Sequence, residues 1–391
     1  MMIIENKVND KKGYSKLIGT QTGSNRNDRY IIKKFSSSFT EIDDANGFDF
    51  GPIYEYEDFG NDTVIVENVK PDDLTLFFDY SIGDDYLNPE SRPADELYIV
   101  KKSALSSMIS TTLKGGTPKS NGILITSQFG DTNNGGNTMS FGAIEDLIIH
   151  DTKTDIGRRI YMSETMEATK TQVKALLEEV AEKGLYTIDL ETGNDVPILS
   201  AFQLLASKHT SYKNKLINIF KNQIIHTEIC GTDENDKIVV GKGNDEIYSE
   251  CGNDTITGGL GKNTIYYGFG SDSGNDVINL TKGENLVLDI AGADIEDLRF
   301  EYSKNKKDLI IYLEKDSEGN FVESITLKNF ASKDVTNNAT KKTEDTSSVI
   351  LKAGLAGIDL RKDLYLTEDN TINVFKNYTG TWLDEEIFAV N

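Results

Sequence analysis

Four oxygen-bearing side chains, Asp236, Asp245, Asp254 and Asn263, recur at a nine-residue interval, and each is followed two places later by Ile238, Ile247, Ile256 or Ile265. Laid out in nines, the segment reads GTDENDKIV from Gly231, VGKGNDEIY from Val240, SECGNDTIT from Ser249 and GGLGKNTIY from Gly258. A longer fifth unit, YGFGSDSGNDVIN, starts at Tyr267 and contains Gly268, Gly270, Asp272 and Asp276. Hard anionic oxygens at regular spacing suit multivalent cations. The whole-chain balance agrees: 64 acidic against 41 basic side chains leave −23, which favours cationic counter-charge and opposes binding to nucleic acid or anionic membrane.

These nonapeptides follow the pattern G-G-x-G-x-D-x-U-x and so resemble the calcium-binding repeats of the RTX (repeats-in-toxin, haemolysin-type) family. The resemblance implies a parallel β-roll, in which each nonapeptide supplies a loop and a short strand and two nonapeptides make one turn, so that residues 18 apart stack. It also implies Ca2+ as the cofactor. The ligand positions carried over are Asp236, Gly241, Gly243, Asp245, Gly252, Asp254, Gly259, Gly261, Asn263, Gly268, Gly270, Asp272 and Asp276. Glycines at places two and four of a repeat permit φ > 0 and let loop carbonyls turn toward an ion. The sixth-place carboxylates provide oxygen of the kind Ca2+ takes in its shells of 6 to 8 ligands. Eighth-place isoleucines point inward as a β-branched ladder.

Stacking at 18 sets Asp236 over Asp254 on one edge and Asp245 over Asn263 on the other, where one ligand charge is missing. The first edge is expected to bind the metal more tightly. In the fifth unit Asp272 keeps the nine-residue count, but the acid-x-apolar step is completed only at Asp276-Val277-Ile278, so either aspartate is a candidate for the last rung.

The elements that position this segment are read from periodicity. Residues 1–162 carry short alternating apolar runs (DTVIVENV, LTLFF, ELYIV, GILIT) between Asp, Asn, Gly and Pro clusters, the pattern of an antiparallel β domain. From Ser163 the period becomes helical: Met166, Val173, Leu176, Leu177 and Val180 share a face, Ser163 is placed to cap the start and Gly184 to follow the end. ILSAFQLLAS and YKNKLINIFKNQII read as further helices, making 163–228 a helical insert or spacer. Residues 229–282 form the roll, and 283–391 return to strand-like runs, resembling the β domains that follow such repeats in secreted proteins. The expected fold class is therefore mainly β: a short parallel β-roll joined to antiparallel β domains, with a small helical insert. Placing Asp73-Leu74 over Asp297-Leu298 also aligns ELYIV with DLIIYL and GILITSQF with SITLKNF, which suggests an internal duplication. Fainter echoes of the repeat lie near Gly19 and Asn27 and in GTWLDEEI at 380–387.

Other chemistries find little in the chain. The three histidines, His150, His209 and His226, are scattered without an H-E-x-x-H, and no G-x-S-x-G occurs. GGLGKNT at 258–264 lacks the glycine spacing of a phosphate loop, and Asp151, Lys153 and Asp155 put a lysine in an EF-hand ligand place. Acidic pairs such as Asp84-Asp85 and Glu385-Glu386 read as solvated surface. Cys230 and Cys251 are expected to be free thiols, since the stacked partner of Cys230 is Tyr248, and Trp382 reads as a core or edge aromatic. No catalytic residue is assigned and the chain is expected to be non-catalytic.

No run near the start has the apolar stretch of a cleavable secretory signal, and no membrane-spanning run occurs. The family resemblance implies export from a Gram-negative cell through a secretion channel that reads an uncleaved C-terminus, and the ending DEEIFAVN resembles some such signals. The expected protein is a calcium-binding secreted RTX-type protein, or a section of a larger toxin or adhesin, whose roll folds on meeting calcium outside the cell. Two further readings stay open: an adhesive or carbohydrate-binding surface protein with a cell-surface or glycan target, and a divergent polysaccharide-active enzyme with catalysis in 1–162.

Overall fold

The computed structural model describes residues 2–5, 21–22, 28–33, 39–43, 63–78, 81–82, 97–106, 122–126, 146–185, 199–268, 274–314, 317–330, 348–354, 356–365, 371–372 and 374–375. Gly270, Asp272, the segment around Trp382, the acidic pairs at 84–85 and 385–386, and the chain end lie outside them. The chain divides into two compact units, Met1–His150 with Arg159–Ile225, and Asp151–Arg158 with His226–Asn391.

In the first unit, strands β1 (Met2–Glu5), β3 (Asp28–Ile32), β5 (Thr63–Glu67) and β10 (Asp146–Asp151) pair in parallel in that order. A second sheet holds β2 (Gln21–Thr22), β4 (Phe39–Asp43) and β9 (Gly122–Thr126) in parallel, then continues antiparallel through β8 (Leu97–Lys101) to the edge strand β6 (Leu74–Phe77). The expectation of an antiparallel domain over 1–162 is corrected here. Alternating apolar residues mark a half-buried strand but carry no information on partner direction. Because β1 to β5 alternate between two sheets, β1, β2 and β3 each pair in parallel with the next-but-one strand, β3, β4 and β5.

The helices cover the second sheet. Helix α1 (Met162–Glu182) buries Met166, Val173, Leu176, Leu177 and Val180, as its period predicted. Its N-cap is Tyr161 without a side-chain cap bond, so Ser163 lies inside the first turn rather than capping it. At the other end Gly184 has φ +60°, and the amides of Gly184 and Leu185 return to the carbonyls of Ala181 and Val180, a left-handed glycine stop. Helices α2 (Ala201–Ala206) and α3 (Thr210–Lys221) follow, with a two-strand pairing of β7 (Ser81–Ile82) and β12 (Leu199–Ser200) beside them. Phe220 of α3 stacks on Phe77 of β6 with ring centroids 4.5 Å apart, and Phe77 stacks in turn on Tyr98 at 5.4 Å. This cover is why β6 is buried at all four positions instead of alternating. The segment 163–228, read as an insert or spacer, thus supplies core to the first unit through residue 225. Among the described residues no helix is long and apolar enough to cross a membrane.

Gln223 closes the free edge of β6. Its Oε1 accepts from the Leu76 amide (2.6 Å) and the Thr75 hydroxyl (3.0 Å), while Nε2 donates to the Leu76 carbonyl (2.7 Å) and to Thr169 Oγ1 (2.9 Å).

In the second unit, β11 (Ile156–Ile160) lies beside the roll strand β13 (Thr227–Cys230), and β15 (Glu246–Tyr248), β17 (Gly261–Gly268), β19 (Glu284–Ala291) and β23 (Ser348–Ala353) extend that sheet in parallel. The facing sheet stacks β14 (Lys237–Val239), β16 (Thr255–Thr257), β18 (Asn275–Asn279) and β22 (Ser324–Lys328) in parallel, then turns antiparallel through β21 (Leu309–Tyr312) and β20 (Arg299–Tyr302). Strand β24 (Ala356–Asp359) closes the first sheet as an antiparallel hairpin with β23. The core is two apolar ladders: Ile229, Ile247, Ile265, Leu288 and Leu351 on one sheet, and Ile238, Ile256, Ile278 and Leu327 on the other, all essentially without solvent contact.

The two units share an order of elements. In each, a strand (β5 or β19) leads to a 3₁₀ turn ending on an Asp-Leu step, at Asp73-Leu74 or Asp297-Leu298. A three-strand meander follows, and its last strand returns parallel to an earlier one, β9 to β4 and β22 to β18. The next strand then lies parallel beside the first, β10 on β5 and β23 on β19. The alignment proposed from sequence sets these same elements opposite one another.

Replacing Gln223 by Leu leaves the Leu76 amide and carbonyl and the Thr75 hydroxyl buried without partners, and is expected to cost the first unit about 2–4 kcal/mol. Denaturant titration of Gln223→Leu against the parent measures this; an unchanged midpoint would show that the edge of β6 does not depend on the amide.

Candidate metal centre

Each nonapeptide of the roll is a loop that leads into a three-residue strand, and the loops stack in two columns. On the first edge the amide of Asp236 donates to Asp254 Oδ1 (2.8 Å), and the amide of Asp254 donates to Asp276 Oδ1 (2.7 Å). On the second edge the amide of Asp245 donates to Asn263 Oδ1 (3.1 Å), while the amide and hydroxyl of Thr227 both donate to Asp245 Oδ1 at 2.8 Å. The pairings Asp236 over Asp254 and Asp245 over Asn263 therefore stand side chain on backbone. Asp276 takes the third rung of the first edge, 22 residues after Asp254, and Val277 and Ile278 pair with Thr255 and Ile256. Gly268 ends β17.

The second oxygens of these carboxylates distinguish the rungs. Asp245 and Asp254 are each 1% exposed, and in both Oδ2 is buried without a hydrogen-bond partner. Asp236 Oδ2 instead receives the Thr232 amide (2.6 Å) and hydroxyl (3.1 Å) from its own loop. A buried anionic oxygen with no donor is expensive unless a positive charge meets it. Burial raises the Asp254 carboxyl to about 6 and the Asp276 carboxyl to about 7, in both cases against the pull of the amide that donates to it. Burial likewise raises Asp245, although the Thr227 donors and the charges of Arg158 and His226 oppose the shift. The residues present fit a hard cation.

Among the described residues no three His, Cys, Asp or Glu side chains converge on a metal position. The balance of a Ca2+ shell, which needs 6 to 8 oxygens, has to come from loop carbonyls. The glycines make those carbonyls reachable, for two separate reasons. At place four Gly252 and Gly261 adopt φ +111° and +113°, closed to residues with a Cβ. At place two Gly259 is needed for room, because a Cβ there would strike the Gly241 carbonyl. Positive φ at place two, expected from sequence, is thus not what Gly259 supplies.

A second ladder lies beside the acidic one and escaped the sequence reading. Asn235 Oδ1 receives the Asn253 amide (2.7 Å), Asn253 Oδ1 the Asn275 amide (2.8 Å) and Asn244 Oδ1 the Lys262 amide (2.9 Å). These are fifth-place residues, the Asn of each Asn-Asp step. The recurring Asn-Asp steps carry the signal for this ladder in the sequence. His226 and Thr227 start the second edge one rung before the motif: His226 Nδ1 accepts from the Asn244 amide at 2.9 Å, standing where the later rungs have Asn and Asp. The first ladder ends on Ser324, whose hydroxyl donates to Asn275 Oδ1 at 2.7 Å. Cys230 and Cys251 are thiols rather than halves of a disulfide. Ile156 of β11 packs in the core of this unit and Arg158 donates to the Val239 carbonyl at 2.8 Å, so the strand before the helices covers the start of the roll.

The family model for the RTX calcium-binding nonapeptide repeat matches the chain in four copies, over residues 231–265 and 251–273. Residues 231–273 are thus RTX-type calcium-binding nonapeptide repeats. Ca2+ is the cofactor of these repeats, and the chain's mainly β fold with a parallel roll is the one the repeats imply. No curated protein matches it in sequence. A solved structure to which the RTX chain is similar is the extracellular lipase LipA from Serratia marcescens, at 12% identity and a TM-score of 0.17, over 84% of this chain and 40% of that chain. The chain thus spans less than half the length of that lipase. The expectation of a non-catalytic chain is withdrawn: this neighbour is a lipase, and at such a TM-score it assigns neither an activity nor an active site to this chain. The expectation had rested on missing local motifs, and an active site assembled from scattered residues leaves no such motif.

Two measurements check the site. Asp254→Ala is expected to weaken calcium binding more than Asn263→Ala, because it removes a charge and an unpaired oxygen where the asparagine has neither; equal losses in isothermal titration would contradict the assignment. The raised carboxyls set the pH dependence. Their folded values lie above the unfolded value of ~3.9, so the metal-free roll is most stable below about pH 4 and loses stability as the pH rises toward 7. Protons and calcium compete for the same oxygens, so the half-saturating calcium concentration should rise between pH 8 and pH 6. A midpoint constant over that range would show that these carboxyls do not hold the ion.

Proposed function

We propose that this chain is the calcium-ordered part of an exported RTX-type protein, whose roll stays only partly folded at low calcium and completes its assembly where calcium is abundant. The observation that supports this reading is the pair of buried, donorless oxygens on Asp245 and Asp254. Bound calcium supplies the positive charge that these oxygens and the stacked loop carbonyls lack.

Without it the roll has to bury like charges in line. Asp236, Asp254 and Asp276 stand one above another on the first edge, each linked to the next through a single amide. The repeats bury few side chains larger than isoleucine, so apolar burial is a thin reserve against that repulsion. An unfolded, strongly acidic chain also suits passage through a secretion channel, which we propose as its partner, and millimolar affinity suits an extracellular site. The ligand set proposed is Asp236, Asp245, Asp254 and Asp276 with carbonyls of the Gly241, Gly243, Gly252, Gly259 and Gly261 loops.

Far-UV circular dichroism of the full chain during calcium titration tests the coupling. The expected outcome is a gain of β signal with calcium and its loss on chelation, together with a higher melting temperature in calcium. A spectrum already complete in chelator, and unchanged on adding calcium, would overturn it.

A further inference from the structure

The two edges of the roll end differently. On the first, the acidic column runs Asp236, Asp254, Asp276. On the second, the rung after Asp245 is Asn263, and the residue in register with Asn263 on the next strand is Leu286. The acid column stops there by sequence, yet a carboxylate still occupies the place. Glu284, two residues before Leu286 and in register with Gly261, is 2% exposed.

Its surroundings are all donors. Glu284 Oε2 receives the Thr281 amide at 2.9 Å, Oε1 faces Asn263 Nδ2 at 3.5 Å, and the Gly259 amide also donates to the carboxylate. Gly258 leaves the space, since a Cβ there would collide with the Glu284 carboxylate. The same groups bind one another: Thr281 Oγ1 donates to the Gly258 carbonyl at 2.7 Å, and Asn263 Nδ2 donates to the Gly259 carbonyl at 3.2 Å. Asp245 and Asp254 present the opposite arrangement, a buried oxygen with nothing to accept from. A carboxylate that awaits a cation leaves an oxygen open toward it, whereas this one has an N–H group facing each of its oxygens.

We propose that Glu284 closes the second edge in place of a metal ion, holding loop 258–263 through its own amides, so that this loop is ordered without calcium. The inference rests on the reading that Asp245 and Asp254 await calcium. It makes Asn263 a matched substitution: its amide donates to the Gly259 carbonyl where a carboxylate could only accept, and it stands beside Glu284 without repelling it. Glu284 is a positioning residue, not a ligand.

Hydrogen exchange of the full chain by mass spectrometry, with calcium and with chelator, tests this. In chelator, peptides over 258–264 and 281–286 should exchange about tenfold or more slowly than peptides over 241–246 and 250–255. Glu284→Ala should abolish that difference while the number of calcium ions bound per chain, measured by isothermal titration, stays unchanged. If Glu284→Ala does not fold, Glu284→Gln carries the same test, because it removes the charge and half of the acceptor capacity. Equal exchange of the two regions in chelator would overturn the proposal, as would loss of one calcium ion in either variant. A parent chain that takes up no calcium at all would instead overturn the calcium reading beneath it.

Discussion

Stacking identical loops one above another puts each carboxylate directly over the next, and everything in the second unit is arranged around that constraint. The roll brings like charges into line and covers them, so each rung needs something positive or something that donates. Backbone amides meet one oxygen each of Asp236, Asp245, Asp254, Asn263 and Asp276. What meets the other oxygen varies. Asp276 has the Ser249 hydroxyl at 3.5 Å, Asp245 and Asp254 bury theirs without a partner, and Asn263 replaces the acid outright.

The remainder of the unit bounds that stack. At the start, β11 and Arg158 cover the first strands, and the His226-Thr227 pair begins the second column. Beyond the last acid, sixth-place positions become Ile325 and Leu286, so the columns pass from charged loops into ordinary apolar sheet. The asparagine ladder survives this change and ends on serine hydroxyls, which bind Asn275 and Asn285. Neutral amides stack without repulsion, so their ladder can extend further than the acidic one.

The first unit obtains the same kind of sheet by other means. Its parallel strands carry no acid ladder among the described residues; instead α1 and α3 cover the meander strands with Val173, Leu177 and Phe220, and Gln223 satisfies the exposed edge of β6. The meander strands of the second unit keep alternating burial, as at β21 and β22, whereas β6 and β8 are buried nearly throughout. The shared order of elements and the different covering account for why the two segments align in sequence yet differ in hydrophobic pattern.

The nine-residue period was enough to place the loops, and the family resemblance carried by that period implied the inward isoleucines and the 18-residue stacking that the strand register shows. Likewise the helical face of α1 and its Gly184 stop were legible, since periodicity and a left-handed cap are properties of a few neighbouring residues. Strand direction in the first unit was not, because pairing is decided between segments many residues apart. Nor was the rung taken by Asp276, which depends on the register of β18 with β16. The role of Glu284 was least legible of all. It lies outside the repeat in sequence, and only its register with Gly261 and the space left by Gly258 bring its carboxylate beneath Asn263.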